Sequence, residues 1–191
     1  MGKGRLEAFS DGVLAIIITI MVLEIKVPHG AGWNDLFALF PVFVSYIMSF
    51  AYIGIYWGNH HHLMHTAKHV DGKIILANLH LLFWLSLIPF TTGWMGENHF
   101  EPNPVALYAT NLLISGFAYF ILQKVIEKST PADEKLGHAF RKHTQKGIIS
   151  QVAYASAIPL AYVHPAISGA IFIFIAVLWI LPDKEIEQAL K

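Results

Sequence analysis

The sequence predicts an all-α integral membrane protein of six helices, one domain over residues 1–191, and three observations carry the prediction. Only 14% of the residues are charged and 55% are hydrophobic, against roughly a quarter charged in an ordinary soluble domain. The apolar residues gather in runs close to the about 20 residues that a bilayer-crossing helix needs. The basic residues fall on alternate connections between those runs, the bias that orients membrane helices.

The expected spans are 9–27, 36–58, 74–94, 105–125, 147–163 and 165–181. The first is retained and not cleaved as a signal, because its apolar core runs into Glu24, Lys26 and Pro28 where a small-residue exit is needed. Leu6 stands where a myristoylation signal requires Ser or Thr. Pro102 and Pro104 precede the fourth span. Pro165 opens the sixth, where a missing backbone donor costs nothing, so His164-Pro165 reads as a tight turn. The opening motif does not recur in the second half, which leaves one set of six spans.

Placing the N-terminus inside gathers Lys3, Arg5, Lys68, Lys73, Lys124, Lys128, Lys135, Arg141, Lys142, Lys146, Lys184 and Lys191 on the cytoplasmic side, twelve of the 13 basic residues. Lys26 alone is outside. Both termini are therefore expected in the cytoplasm, in a multi-pass protein of the cell membrane. The stretch 124–146, with six of those basic residues, Pro131 and Gly137, reads as a cytoplasmic linker able to attract anionic headgroups.

Several classes of chemistry drop out. The chain has no cysteine, hence no disulfide or thiolate metal site, and its formal net charge of zero gives no general attraction to nucleic acid. No phosphate cradle, Walker-type run or nucleophile elbow appears. The chain reads as a non-enzyme without a cofactor.

The opening stretch "RLEAFSDGVLAIIITIMVLEIKVP" carries the functional signal. Asp11 and Glu24 bracket a dry zone of about 20 Å at 1.5 Å per residue. Thr19 is the one polar side chain between them, and its hydroxyl has two readings. It can bond the carbonyl of Ala15 one turn back, as buried Ser and Thr often do. Alternatively, in a symmetric oligomer Ile16, Ile20 and Leu23, at i, i+4 and i+7, form stacked apolar collars with Thr19 hydroxyls between them, a constriction that excludes water.

Asp11 at the membrane edge demands a partner or marks a pathway. The candidates are Arg5, and Asn59 or a histidine of "YWGNHHHLMH" at the inner end of the second span. A structural network and a pH-sensing role both fit. His61, His65 and His69 recur every four residues and raise the alternative of a histidine-dependent metal-binding membrane enzyme. The other histidines are scattered singly, however, and Trp57, Asn59 and the His cluster are better read as interfacial anchors and interhelical hydrogen bonders. "TTGWMG" at 91–96 faintly echoes a carbonyl-lined ion filter, but it closes a full span and follows Pro89. Glu97 and Glu101 lend the outer side a mildly cation-attracting surface. A cation or proton transporter is the third option, usually marked by inverted repeats or broken helices, which the sequence does not display.

"RLEAFSDGVLAI" followed by "TIMVLEIKVP", with "YWGNHHHLMH" and "LIPFTTGWMGENHF", resembles the bacterial branch of the transmembrane protein 175 family of potassium channels. The specific part is the pattern Arg5, Phe9, Ser10, Asp11, and Gly12 and the triple histidine also fit that branch. The resemblance implies a six-helix subunit with no re-entrant filter loop, assembling as a homotetramer with the first helix around the pore. It places the constriction on Ile16, with Ile20 and Leu23 along the same face, and the pore hydroxyl on Thr19. Arg5, Phe9, Ser10 and Asp11 would then join Trp57, Asn59, His60 and His61 in a network tying the pore helix to its neighbours. The expected partners are potassium and other monovalent cations, the bilayer and three further copies of the chain.

Overall fold

A computed structural model describes residues 2–129 and 134–180, and among them every regular element is an α-helix. The order is α1 (Lys3–Leu23), α2 (Trp33–Phe37), α3 (Phe40–Thr66), α4 (Gly72–Leu85), α5 (Ile88–Glu97), α6 (Pro102–Ser129), α7 (Glu134–Val163) and α8 (Pro165–Ile180). Four stretches are long and apolar enough to cross a membrane: Lys3–Leu23, Phe40–Thr66, Gly72–Glu97 and Pro102–Ser129. α8 is apolar but shorter, and α7 is long but polar in its first half.

Local chemistry sets the boundaries. Asp71 caps α4, its carboxylate accepting from the Ile74 backbone N–H at 2.9 Å. α4 and α5 form one bent stretch: Pro89 has no N–H to offer the carbonyl one turn back, and the ladder resumes as Thr91 donates to Leu87. The reversal into α6 uses His99 and Phe100 in the left-handed region, at φ of 52° and 59°. There the Phe100 N–H satisfies the carbonyl of Met95. His164 and Pro165 make the expected tight turn between α7 and α8, with His164 Nδ1 accepting from the Ala166 N–H at 3.2 Å.

The expected linker over 124–146 is not one among the described residues. α6 continues to Ser129 and α7 already begins at Glu134. Leu136, Ala139, Phe140 and His143 recur at helical spacing and pack on α6, and this stripe outweighs the charges between them. The first two expected spans also move. α1 starts six residues earlier than expected at Lys3, and α3 runs past Gly58 to Thr66.

The interior is built by α6 against α4 and α7, with α3 against α5, and α8 against α7. Tyr52, Tyr108 and Phe172 are among its largest buried side chains. Their polar ends are satisfied internally: Tyr52 donates to the Phe172 carbonyl at 2.8 Å, and the Tyr108 and Thr92 hydroxyls meet Ser49 Oγ at 2.9 and 2.7 Å. That matters in a bilayer, where water is not at hand to replace a lost partner. α1 lies to one side of this interior, on α3, α4 and α5.

Candidate ion pathway and the polar network behind it

α1 has two faces. Leu6, Ser10, Leu14, Ile17 and Met21 are buried against the bundle. The opposite face carries Ile16, Ile20 and Leu23, which remain 57%, 41% and 80% exposed in the single chain. Phe9, Asp11 and Thr19 are exposed as well. Thr19 Oγ1 donates to the carbonyl of Ile16 at 2.9 Å, one residue short of the expected Ala15. Its hydrogen is thus spent on the helix's own backbone, and an oxygen lone pair is left facing outward. Beside this face α5 contributes Phe90 and Trp94, and the two helices border an open groove of about 540 Å³ that ends at Glu24 and Glu97.

Behind the exposed face, the N-terminal half of α1 is fastened by two separate sets of contacts. Ser10, Asn78 and His60 are all buried and form a chain of hydrogen bonds across α1, α4 and α3. Asn78 Nδ2 donates to Ser10 Oγ at 2.9 Å, and Ser10 Oγ donates to the Leu6 carbonyl at 2.9 Å. Asn78 Oδ1 can then only accept, so His60 Nε2, at 2.7 Å, carries the proton. The order of donors runs from the imidazole through the amide and the hydroxyl to a backbone carbonyl.

The second set is at the surface. Trp57 Nε1 donates to Asp11 Oδ1 at 3.0 Å. The Trp57 ring stacks on His61 with centroids 6.2 Å apart, and His61 meets His65 edge-on at 4.5 Å. Lys3 Nζ caps the end of α3 by donating to the His65 carbonyl at 3.0 Å. Two expected partners of Asp11 are corrected here. Arg5 is exposed and forms no ion pair among the described residues, and Asn59 lies on the other side of α3, bordering the recesses shared with α6 and α7. The histidine row is also shorter than expected. α3 ends at Thr66, which leaves His69 off the helix, and no group of three His, Asp or Glu side chains converges as a metal site among the described residues.

At the other end of α1, Lys26 Nζ and Glu97 Oε1 pair at 2.6 Å. Its hydrogen bond to Glu97, then the Glu97 charge, hold the Lys26 ammonium above its ordinary value. Glu97 is therefore neutralised locally instead of offering a free charge to cations. Residues 91–96 lie within α5, where the Thr91 and Thr92 hydroxyls donate to the Ile88 carbonyl, so no carbonyl-lined filter forms there.

Asn78 escaped the sequence reading. Its signal was a single amide in the apolar run "KIILANLHLLFWL", where a carboxamide at membrane depth needs a partner. The hydroxyl cluster of Ser49, Thr92 and Tyr108 escaped for the same reason.

A membrane-embedded helical bundle with one apolar helix face held outward on a buried polar anchor is the class of protein this geometry defines. The model of the endosomal/lysosomal potassium channel TMEM175 family matches residues 5–89. A potassium channel of a Chryseobacterium species is 52% identical over 191 residues, covering 100% of this chain and 99% of that one. A potassium channel of Chamaesiphon minutus is 32% identical over 160 residues, 79% of this chain and 77% of that one. The human endosomal/lysosomal proton channel TMEM175 is 36% identical over 96 residues, 44% of this chain but 19% of that much longer one. The crystal structure of a lysosomal potassium-selective channel TMEM175 homolog from Chamaesiphon minutus superposes with a TM-score of 0.84 at 28% identity, over 94% of this chain and 96% of that chain. The chain belongs to the TMEM175 family, a family of ion channels and not of enzymes.

Proposed function

We propose that this chain is the subunit of a potassium-permeable cation channel in the cell membrane, with six spans and both termini cytoplasmic. Four copies place α1 around a central axis, so that Ile16, Ile20 and Leu23 form apolar collars and Thr19 a ring of hydroxyls. The single observation that carries the reading is the outward stripe of α1. Three large aliphatic side chains and a hydroxyl stay uncovered, while the opposite face of the same helix is buried against the bundle.

Apolar collars of this kind act by dewetting: a narrow greasy ring empties of water, and a cation must shed part of its hydration to pass. Oxygen dipoles at Thr19 replace part of what is shed. The groove between α1 and α5 is where the next copy would seat, which supports the assembly because it exposes Phe90 beside Ile16. The network on Ser10 and Asp11 then sets the angle at which α1 reaches the axis.

Purified protein in liposomes under a potassium gradient should carry current. Ile16→Asn, which puts a polar group into the collar, should raise the flux several-fold. Absence of flux in both proteins, with the chain folded, would reject the channel reading. A saturating, counter-ion-dependent flux would favour a transporter.

A further inference from the structure

A second cavity lies on the far side of the bundle from α1, between α3, α6, α7 and α8, with a volume of about 240 Å³. It is much larger than a single water needs and just under the ~300–1,000 Å³ of sites for drug-sized ligands. Small residues open it. Gly147 has nothing within 4 Å of where a Cβ would stand, and at Gly116 the Gln151 amide nitrogen occupies the space a Cβ would need. Phe117, Ile148 and Val152 rim the mouth and are 54%, 55% and 65% exposed.

The chemistry of the lining narrows the occupant. No Lys, Arg, Asp or Glu side chain contributes to it, so a charged ligand would lose its hydration without compensation. Yet the walls are not inert. The Gln151 amide and the Tyr56 hydroxyl both line the cavity, and neither side chain makes a hydrogen bond among the described residues. The amide is open to the recess, and a neutral hydroxyl can both donate to it and accept from it.

We propose that this recess binds one uncharged, hydroxyl-bearing amphiphile drawn from the bilayer, its chain lying between Phe117, Ile148 and Val152 and its hydroxyl meeting Gln151 and Tyr56. The assignment of the mouth to the lipid side rests on the reading in which α1 is axial, since α7 packs on α6 and α8 and lies at the periphery of such an assembly. Trp179 also lines the cavity and reports on it, being fixed there by the bond from its Nε1 to Ser150 Oγ at 2.8 Å.

The test uses the full-length chain in lipid nanodiscs and 8-bromo-1-octanol, whose bromine quenches tryptophan on contact. The expected result is saturable quenching that disappears in Trp179→Phe and weakens at least tenfold in Gln151→Leu. Bromooctane, which lacks the hydroxyl, should also be at least tenfold weaker. Val152→Phe, a substitution at the exposed rim that leaves the packed interior untouched and adds no tryptophan, should narrow the mouth and weaken the saturable quenching at least tenfold even if Gln151→Leu proves unstable. Quenching that never saturates, or that is equal for the alcohol and the bromoalkane, would overturn the proposal. The readout needs no ion flux. Saturable binding in a non-conducting protein would keep this site and reject the pore, and conduction without saturable binding would do the reverse.

Discussion

Trp57 reaches from α3 to donate its indole N–H to Asp11 Oδ1 on α1 at 3.0 Å, with both side chains at the surface and not in the core. The carboxylate on the exposed face of α1 is therefore held by a neutral donor, not by a cation. Asn can accept the same hydrogen bond. Asp11→Asn should unfold within a few tenths of a kcal/mol of the parent, whereas Asp11→Ala and Trp57→Phe should each lose about 1 kcal/mol. Combining the last two should add little, a coupling readable from a double-mutant cycle of unfolding in mixed micelles. Arg5→Ala should be silent in the same assay, and a large loss there would show that Arg5 is the true partner.

The buried chain through Asn78 should be more sensitive. Replacing Asn78 by Leu strands the His60 Nε2–H inside the bundle and deprives Ser10 Oγ of its donor. Leaving a buried polar group unmatched costs about 1–3 kcal/mol in water-soluble proteins, while interhelical bonds in membranes average about 0.6 kcal/mol. Three fully packed members on three helices place this case toward the upper figure, so a loss of about 2 kcal/mol is expected for Asn78→Leu. Ser10→Ala removes the acceptor of the Asn78 amide and a donor to the Leu6 carbonyl, which lies one helical turn back, so only the amide N–H is stranded and the cost should be about half as much. Equal stability of all three proteins would mean that the chain positions nothing.

How much of this was legible in the sequence depended on the scale of the signal. Long apolar runs and sided charges are collective, so the all-helical membrane architecture could be read with no coordinates, and the family motif fell on α1 and the C-terminal end of α3. Partners are pairwise, and they were not readable. Asp11 had three nominated partners and met a fourth, because Trp57 stands two positions before Asn59, about 200° around the helix at 3.6 residues per turn, and only the rotation of α3 decides which of them faces α1. The first half of α7 misled for another reason. Its apolar stripe of Leu136, Ala139, Phe140 and His143 is interrupted by Arg141 and Lys142, so charge density hid a helical period.

That stripe makes its own prediction. Phe140 is 5% exposed and its carbonyl accepts from Gln123 Nε2 at 3.4 Å, so the N-terminal part of α7 is packed and not a tether. Phe140→Ala should cost about 3 kcal/mol by lost packing and the cavity left behind. Amide exchange should show slow protons through residues 138–146, and rapid exchange there would restore the linker reading.

The Lys26–Glu97 pair gives a prediction about pH. Lys26 is held above the ordinary lysine value of 10.5 by its hydrogen bond to Glu97 and the Glu97 charge. A raised value in the folded state means that the contact contributes fully below the ordinary value and fades as pH climbs through the raised one. Between pH 6 and 9 Lys26 itself therefore does not titrate. Unfolding midpoints of the parent and Lys26→Gln should differ by a constant amount over that range and converge only above about 10.5, the starting point set by the unfolded lysine. Convergence already at neutral pH would show that the ammonium is not held.

Thr19 offers the sharpest separation between a structural and a conducting role. Its hydroxyl hydrogen goes to the Ile16 carbonyl and its side chain is exposed, so the single chain gains little from it. Thr19→Val keeps shape and volume but removes the oxygen. Hydroxyls that bond the preceding turn are neutral or slightly unfavourable to the helix, so stability should stay within about 0.5 kcal/mol. If Thr19 serves only the helix, flux should be unchanged as well. If the four oxygens replace part of a cation's hydration shell, their loss raises the barrier at the ring, and a rise of about 1.4 kcal/mol lowers the rate tenfold. Potassium flux in liposomes should then fall about tenfold in Thr19→Val and recover largely in Thr19→Ser, which restores the oxygen without the methyl group. Equal flux through all three proteins would remove Thr19 from the pathway, while a parallel loss of flux and fold would show a structural residue.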